Sequence, residues 1–417
     1  MPSQPQAINM ENALFKEFYG SGADQSLVNA KTPLTSILMK NKSVDFVGKQ
    51  FVQPVRFGSA VGLGYRPSGT NLPAPKAAPR EQAVFPAVRA YATAEYEREA
   101  IVASRNDRGA FAKVTVDEVE AVLEGFNLHM VERALFGDAS GKLGAVASLD
   151  SGTGTEGDPW VVTMSNTGLL APKFKKRYFP RGAKMDLYTA GGTLQLTVYV
   201  ASFDATTLSL VLVSTGAAVA PAANDILYWE GNRNNECIGL KKIAPIAPGT
   251  LYGISQSANP EFKGIISDLS AATLAYGDIN DIISGLEDEL GVSPNLAICS
   301  HATKAALKSQ AEEHKRYSIA EIKSADAKIG FKGLELLGDE GPFPLISSQM
   351  CEDDEIYFMN TKYLQLVLRQ DFGWFDDDGT ILLRDPQKDV YNARYGGYFE
   401  LFCSKPNSVA RLRNFVV

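Results

Sequence analysis

The stretch Tyr65 to Pro79 constrains this chain more than any other. It holds four prolines, Pro67, Pro73, Pro75 and Pro79, and no apolar periodicity. Proline has no N–H to give to a ladder, so these residues cannot fold back as a core element. Their flanks can. Phe51 to Phe57 alternates as a strand, and Phe85 to Tyr96 reads as its antiparallel partner. The outcome is a hairpin with a loop too long for a compact domain, and such loops generally serve function or reach for something outside.

Two helices stand out around it. Thr115 to Phe136 begins with capping-box spacing, Thr115 and Glu118, and ends at Gly137. Val119, Val122, Leu123, Phe126 and Met130 recur at helical spacing, so one continuous α-helix of about 33 Å is expected, long enough to span a domain. Met10 to Tyr19 puts Leu14, Phe15 and Phe18 on one face and stops at Gly20. Nothing nearby in sequence partners that face. From Gly20 to Lys42 the chain is polar and turn-rich and reads as an extended arm.

The grammar then changes. Asp150 to Pro159 is Ser, Gly, Thr and Pro, and strands follow up to about Glu236. Leu194, Leu196, Val198 and Val200 alternate with polar neighbours, Asp204 and Ala205 turn, and Thr207 to Val213 pairs back. This predicts a β-barrel or sandwich over 150–236. Mixed α/β structure resumes near Leu251: a helix through Ile279, Ile282, Ile283, Leu286 and Leu290, a strand Asn295 to Cys299, and a second helix begun by Ser300. Strands dominate from Glu355, with a hairpin turning at Asp378-Gly379 and a last strand from Tyr395 to Phe402. No internal repeat is visible.

With 417 residues, two or three packed units are expected. The net charge of −7 offers no general basic surface to nucleic acid. Met1 to Ala7 lacks the basic and apolar regions of a secretory signal, and no run of 18 apolar residues suggests a membrane span. Cys237, Cys299, Cys351 and Cys403 are too far apart for a disulfide framework and read as reduced, buried small hydrophobes.

Chemistry-bearing motifs are weak. Gly152-Thr153-Gly154-Thr155-Glu156-Gly157 has dinucleotide spacing, but Asp158-Pro159 and a strand follow where a helix N-terminus would have to bind phosphate. Asp376-Asp377-Asp378-Gly379 puts Ile381 where a calcium loop needs glycine. Cys299 and His301 could form a nucleophile and base, yet nothing orients them. The histidines, His129, His301 and His314, make no H-E-x-x-H, and no G-x-S-x-G or P-loop appears. No catalytic, metal-binding or cofactor-binding residue is expected, and the chain does not read as an enzyme.

Taken in order, the arm, the projecting hairpin, the spine helix, the mixed α/β segment and the returning strands resemble the major capsid protein of tailed bacteriophages, the Hong Kong 97-type fold. Three stretches carry the likeness: Gly285-Leu286-Glu287 through Val292-Ser293-Pro294-Asn295-Leu296-Ala297-Ile298-Cys299-Ser300, Pro344 to Ser348, and Tyr391 to Phe399. The resemblance implies an α+β chain divided into an N-terminal arm (1–48), an E-loop hairpin (49–91), a P-domain with the spine helix (92–149), an inserted β-rich domain (150–236), an A-domain (237–350) and a return to the P-domain (351–417). It also implies hexamers and pentamers of the chain closing into an icosahedral shell around double-stranded DNA held without sequence-specific contacts. A separate scaffolding protein and a portal protein are its implied partners, and binding of a decoration protein is left open by it. The implied location is the virion capsid, assembled in the host bacterial cytoplasm, with no membrane contact. The alternatives are an encapsulin-type nanocompartment shell and a phage tail or carbohydrate-binding β-protein. The Lys-to-Asn crosslink of some members finds no marked partner here for Lys76.

Contacts between copies are expected from Leu14, Phe15 and Phe18 of the arm and from the charge pattern. Between Phe51 and Ala90, five bases, Arg56, Arg66, Lys76, Arg80 and Arg89, face one acid, Glu81, giving +4. Between Tyr91 and Ser140, ten acids, among them Glu118, Glu120 and Glu124, exceed five bases, giving −5. A cationic loop over the anionic spine region of a neighbour gains steering and register rather than raw affinity.

Overall fold

The computed structural model describes residues 32–40, 48–59, 62–98, 121–165, 178–216, 219–313, 335–376, 382–384 and 386–416. Leu14, Phe15, Phe18, Glu118, Glu120, His314 and residues 377–381 lie outside them.

Helix α1 (Pro33–Lys40) buries Leu34, Thr35 and Leu38. Strands β1 (Phe51–Arg56) and β2 (Arg80–Phe85) form the root of the hairpin, with Phe51 opposite Phe85 and Arg56 opposite Arg80. The expected partner of β1, Phe85 to Tyr96, is thereby corrected. Pro86 cannot donate to a ladder, so the chain breaks there, and β3 (Val88–Glu97) leaves the hairpin to pair with a strand near the C-terminus.

Within the described residues the spine helix α2 runs over 121–136, its expected start at Thr115 and Val119 lying outside them, and it is not one regular α-helix. Phe126–Glu132 is π-helical, and the Arg133 N–H donates to the carbonyl of Leu128, five residues back. The wider turn rotates the buried face. Phe126 is buried as expected, whereas Val122, Leu123 and Met130 are only half-buried, and Leu128, Val131, Leu135 and Phe136 fill the core instead.

Six antiparallel strands then close a barrel: β4 (Lys142–Ser151), β5 (Trp160–Met164), β6 (Lys184–Tyr188), β7 (Leu194–Asp204), β8 (Ser209–Ser214) and β9 (Ile226–Trp229), in the order β4-β5-β8-β7-β6-β9. Closure removes every exposed edge. Trp160, Val162, Met164, Leu196, Val198 and Val200 point inward at strand periodicity. The β7–β8 hairpin forms as the alternation predicted. The barrel starts at Lys142, before the expected Asp150, because the first half of β4 pairs with β9. The glycine-rich run is the β4–β5 connection. Gly154, at φ +84°, lies under Trp160, and a Cβ there would come 2.5 Å from its indole ring.

After the short helix α3 (Leu240–Ile243), a small ribbon of β10 (Thr250–Leu251) and β11 (Ile254–Ser255) turns at Tyr252-Gly253. There follow β12 (Ile265–Thr273), α4 (Tyr276–Leu290), β13 (Leu296–Cys299), α5 (His301–Glu313), β14 (Glu335–Gly338), β15 (Gly341–Ser347), β16 (Glu355–Met359), β17 (Leu364–Trp374), β18 (Leu382–Arg384), β19 (Val390–Cys403) and β20 (Val409–Val416). Helix α4 buries Ile279, Ile282, Ile283 and Leu286. It stops at Gly291, whose φ of +70° suits glycine. The Ser300 hydroxyl accepts the N–H of Thr303 at 3.1 Å, capping α5.

A six-stranded mixed sheet runs β12-β20-β16-β13-β15-β14. It takes β16 and β20 from the C-terminal segment, so a boundary at 350 cuts through one sheet. In the other large sheet, β19 has β3 along one edge and both β17 and β18 along the other. The expected hairpin turn at Asp378-Gly379 lies outside the described residues. Along that edge β17 pairs with residues 395–403 of β19 and β18 with 391–393, both antiparallel to it. The turn comes between Arg384 and Val390, around Pro386. All four cysteines are buried and none forms a disulfide. One continuous core joins α1, the spine helix, the barrel and the β17–β19 sheet.

Candidate interaction surface

The root of the hairpin is an aromatic knot. The ring of Phe85 stacks on Phe402 at 5.4 Å and meets Tyr252 at 4.9 Å, Phe51 packs on Phe85 at 5.1 Å, and Phe57 meets Phe262 edge-on at 5.7 Å. Geometries of this kind add about 0.5–1.5 kcal/mol per pair beyond area burial. Polar bonds fix the register: the Val84 N–H donates to the Tyr252 carbonyl at 2.8 Å, and the Tyr252 hydroxyl donates to Leu401 O at 2.8 Å and accepts the Cys403 N–H at 3.1 Å.

Beyond this root the hairpin carries large apolar side chains into solvent. Leu63 is 82 % exposed, Tyr65 fully exposed and Leu72 86 % exposed. Arg56, Arg66, Lys76 and Arg80 are exposed along the same projection. Arg56 and Arg80 stand opposite each other where the ladder ends, so two like charges meet at the start of the loop. Arg89 is placed differently from the other expected contacts: its guanidinium lies 5.6 Å over the Tyr398 ring of its own chain. Glu124 is half-buried on α2. Among the described residues, no ion pair joins Arg56, Arg66, Lys76 or Arg80 to the spine helix.

A second anchor holds α1. The buried carboxylate of Glu132 accepts the N–H groups of Leu34 and Thr35, at 3.3 and 2.8 Å, and the hydroxyls of Thr35 and Ser348, at 2.7 and 3.0 Å. It supplies, from 97 residues away, the cap that a helix N-terminus needs. Burial pushes this carboxyl up, against the hydrogen bonds that favour its charged form. The π-helical turn ends at Glu132 and so sets where the cap points.

Two sets of ion pairs lie beside the spine helix, one made from the helix itself and one joining α3 to the six-stranded sheet. Arg133 pairs with Glu236, which also accepts from Asn232 at 3.0 Å. Lys241 pairs with Glu352 and, at 3.4 Å, with Glu355. Glu355 binds Arg411 and accepts the Tyr357 hydroxyl at 2.5 Å. Burial and the neighbouring Glu355 raise Glu352 to about 7. Burial opposes the charge of Glu355 too, but Lys241 and Arg411 hold it at about 2. A cavity of about 80 Å³ lies among Arg133, Tyr178, Lys241 and Glu352. Because Arg133, Lys241 and Arg411 are each paired, these contacts join elements rather than presenting a reactive group.

The weak chemical motifs stay apart. Cys299 is buried in β13 while His301 is exposed at the start of α5, and His129 is buried against Trp229, ring centroids 5.3 Å apart. Among the described residues there is no group of three His, Cys, Asp or Glu side chains able to hold a metal, and no helix is long and apolar enough to cross a membrane. Sequence reasoning missed Tyr252, Glu132 and the Lys241 network, whose partners are distant in the chain. It had a signal for the tip: Leu63, Tyr65 and Leu72 are large apolar residues in a Gly- and Pro-rich stretch that cannot bury them.

Among solved structures, the chain is similar to a subunit of the cyanophage A-1(L) capsid asymmetric unit, with a TM-score of 0.60 and 11% identity over 96% of this chain and 97% of that one. It is also similar to a chain in the capsid of an empty GTA particle, with a TM-score of 0.50 and 11% identity over 99% of each. The chain has a capsid-type α+β fold. No family model matches it, and no curated protein does.

Proposed function

We propose that this capsid-type chain is the major capsid protein of a tailed bacteriophage, assembling as hexamers and pentamers into an icosahedral shell around double-stranded DNA, and that its role is structural rather than enzymatic. The observation that carries the reading is the projecting hairpin. Its root is locked by aromatic rings and backbone hydrogen bonds, while Leu63, Tyr65 and Leu72 at its far end stand in water. Burying a large apolar side chain is worth about 1.5–3 kcal/mol, so an anchored projection with such a tip suits contact with another copy. Shells close by repeating one interface, and small shifts at it set curvature.

In this reading the divisions are those of the Hong Kong 97-type fold, with the barrel as an insertion. The arm residues Leu14, Phe15 and Phe18 dock on a neighbour, and Arg56, Arg66, Lys76 and Arg80 steer the hairpin toward acidic residues of the next spine region, Glu118, Glu120 and Glu124. Arg89 is the weakest of these contacts because it already stacks on Tyr398. A scaffolding protein, a portal and a decoration protein complete the assembly, which forms in the host cytoplasm. Electron microscopy and sedimentation of the protein made together with its neighbouring genes test the reading: closed shells are expected, and monomers or dimers alone at high concentration would overturn it.

A further inference from the structure

The β12-β20-β16 side of one end of the six-stranded sheet carries three lysines and one acid, although the chain as a whole is acidic. Strands β12 and β20 begin there and β16 ends there, side by side, since Ile265 faces Ala410 and Val409 faces Met359. The turns at these three strand ends each carry a lysine: Lys263, Lys405 and Lys362. Lys362 and Lys405 share a single ring, their ammonium groups 6.0 and 4.6 Å from the centroid of Tyr363. Lys263 follows the turn Pro260–Phe262, which packs on the turn Pro406–Ser408 that follows Lys405.

The platform is rigid. The Ser404 N–H donates to Tyr363 O at 3.0 Å and the Asn360 N–H to Ser408 O at 3.2 Å, while the Asn295 side chain holds Thr361 through two bonds, at 2.8 and 2.9 Å. None of the three lysines has an ion pair among the described residues. Glu261 is the only acid in the three turns; Glu81 accepts from Asn259 beside the first of them at 3.1 Å, Asp288 and Glu289 end α4, Asp339 and Glu340 lie in the β14–β15 turn, and none makes an ion pair with these lysines among the described residues. Lysines held on a fixed platform outside any ion pair favour a polyanion as partner, and the Tyr363 ring between two of them adds a flat apolar face.

We propose that Lys263, Lys362, Lys405 and Tyr363 form a contact for the phosphate backbone of double-stranded DNA, independent of sequence. The inference rests on the shell reading, which it deepens by assigning this end of the sheet to the inner face. The net charge of −7 masks the patch, because a whole-chain sum says nothing of where charges sit.

The test uses the full-length unassembled subunit and a labelled duplex of random sequence, with binding followed by fluorescence anisotropy across salt concentrations. Three phosphate contacts give a slope of log K against log salt of about −2.7. The variant Lys263→Ser/Lys362→Ser/Lys405→Ser is expected to bind at least about tenfold more weakly at low salt and to lose most of that slope. A control, Lys49→Ser/Lys308→Ser, is expected to leave both unchanged. Binding by the triple variant equal to wild type overturns the proposal, as does equal weakening in the control. Shell formation by the same proteins is measured separately. A triple variant that assembles but fails to bind duplex supports the patch. One that binds duplex but fails to assemble makes these lysines a contact between copies and overturns it. Failure of wild type to assemble under any condition overturns the shell reading, whatever the anisotropy shows.

Discussion

The ring of Tyr252 lies 4.9 Å from that of Phe85, and the two residues are joined again through the backbone, where the Val84 N–H donates to the Tyr252 carbonyl. A two-residue turn between β10 and β11 thus carries the hairpin root, at a backbone φ of +51°. Tyr252→Phe keeps the ring and removes the hydroxyl, leaving the buried Cys403 N–H without its acceptor. The expected cost is about 1–3 kcal/mol. Tyr252→Ala also opens a cavity and should cost about 3–5 kcal/mol, the range for deleting a buried aromatic ring. Chemical denaturation of both variants checks the order; equal costs would mean that the hydroxyl rather than the ring dominates.

Glu132 should decide whether α1 stays docked. Glu132→Ala leaves two helix N–H groups and the Thr35 and Ser348 hydroxyls without their acceptor, each buried orphan costing about 1–3 kcal/mol. Hydrogen exchange at Leu34 to Lys40 is expected to speed up well before the rest of the chain. Uniform exchange across both regions would mean that the carboxylate supports the whole core rather than α1.

Gly154→Ala puts a methyl group 2.5 Å from the Trp160 indole and asks a non-glycine residue to hold φ +84°. Overpacking costs about 1–3 kcal/mol and the strained backbone about as much again. Gly157→Ala, with open space around its Cβ, is the matched control and should melt like wild type. Trp160 fluorescence during unfolding locates the damage in the barrel.

Stability should peak in mild acid. Burial raises Glu400 to about 8, above its ordinary 4.5, so the stability linked to its protonated form is complete below 4.5 and drains away as pH rises to 8. Glu352, raised to about 7, acts in the same direction. Glu355, held at about 2, contributes above 4.5 and is lost as pH falls toward 2. Glu400→Gln keeps an acceptor for the N–H groups of Ile238 and Leu401 and cannot ionise. Melting temperature measured from pH 5 to 8 should fall less steeply in this variant than in wild type; equal slopes would show that Glu400 does not titrate there.

Leu63→Ser, Tyr65→Ser and Leu72→Ser change exposed groups and should each alter the stability of the isolated subunit by no more than about 0.5 kcal/mol. Combined, they should lower shell yield sharply. Reversing Arg66, Lys76 and Arg80 to Glu should impair assembly most at low salt, where screening is weakest. Unimpaired low-salt assembly of the reversed protein would reject electrostatic steering of the hairpin.

Local rules were enough wherever one segment settles its own structure. Four prolines forbade Tyr65 to Pro79 from the core, alternation marked the β7–β8 hairpin, and Ser300 and Gly291 capped their helices, because these preferences depend on neighbours a few residues away. Partners across the chain depend on loop closure and competition between ladders, which no local pattern encodes. Whether β1 pairs with Arg80–Phe85 or with the strand after it turned on Pro86 and on the offer of a longer ladder by β19. That β17 and β18 share one edge of β19, opposite β3, was also set by distant segments. The π-helical turn before Glu132, the cap it gives α1, and the meeting of three lysines at one sheet end likewise arise only when distant strands and helices are brought together.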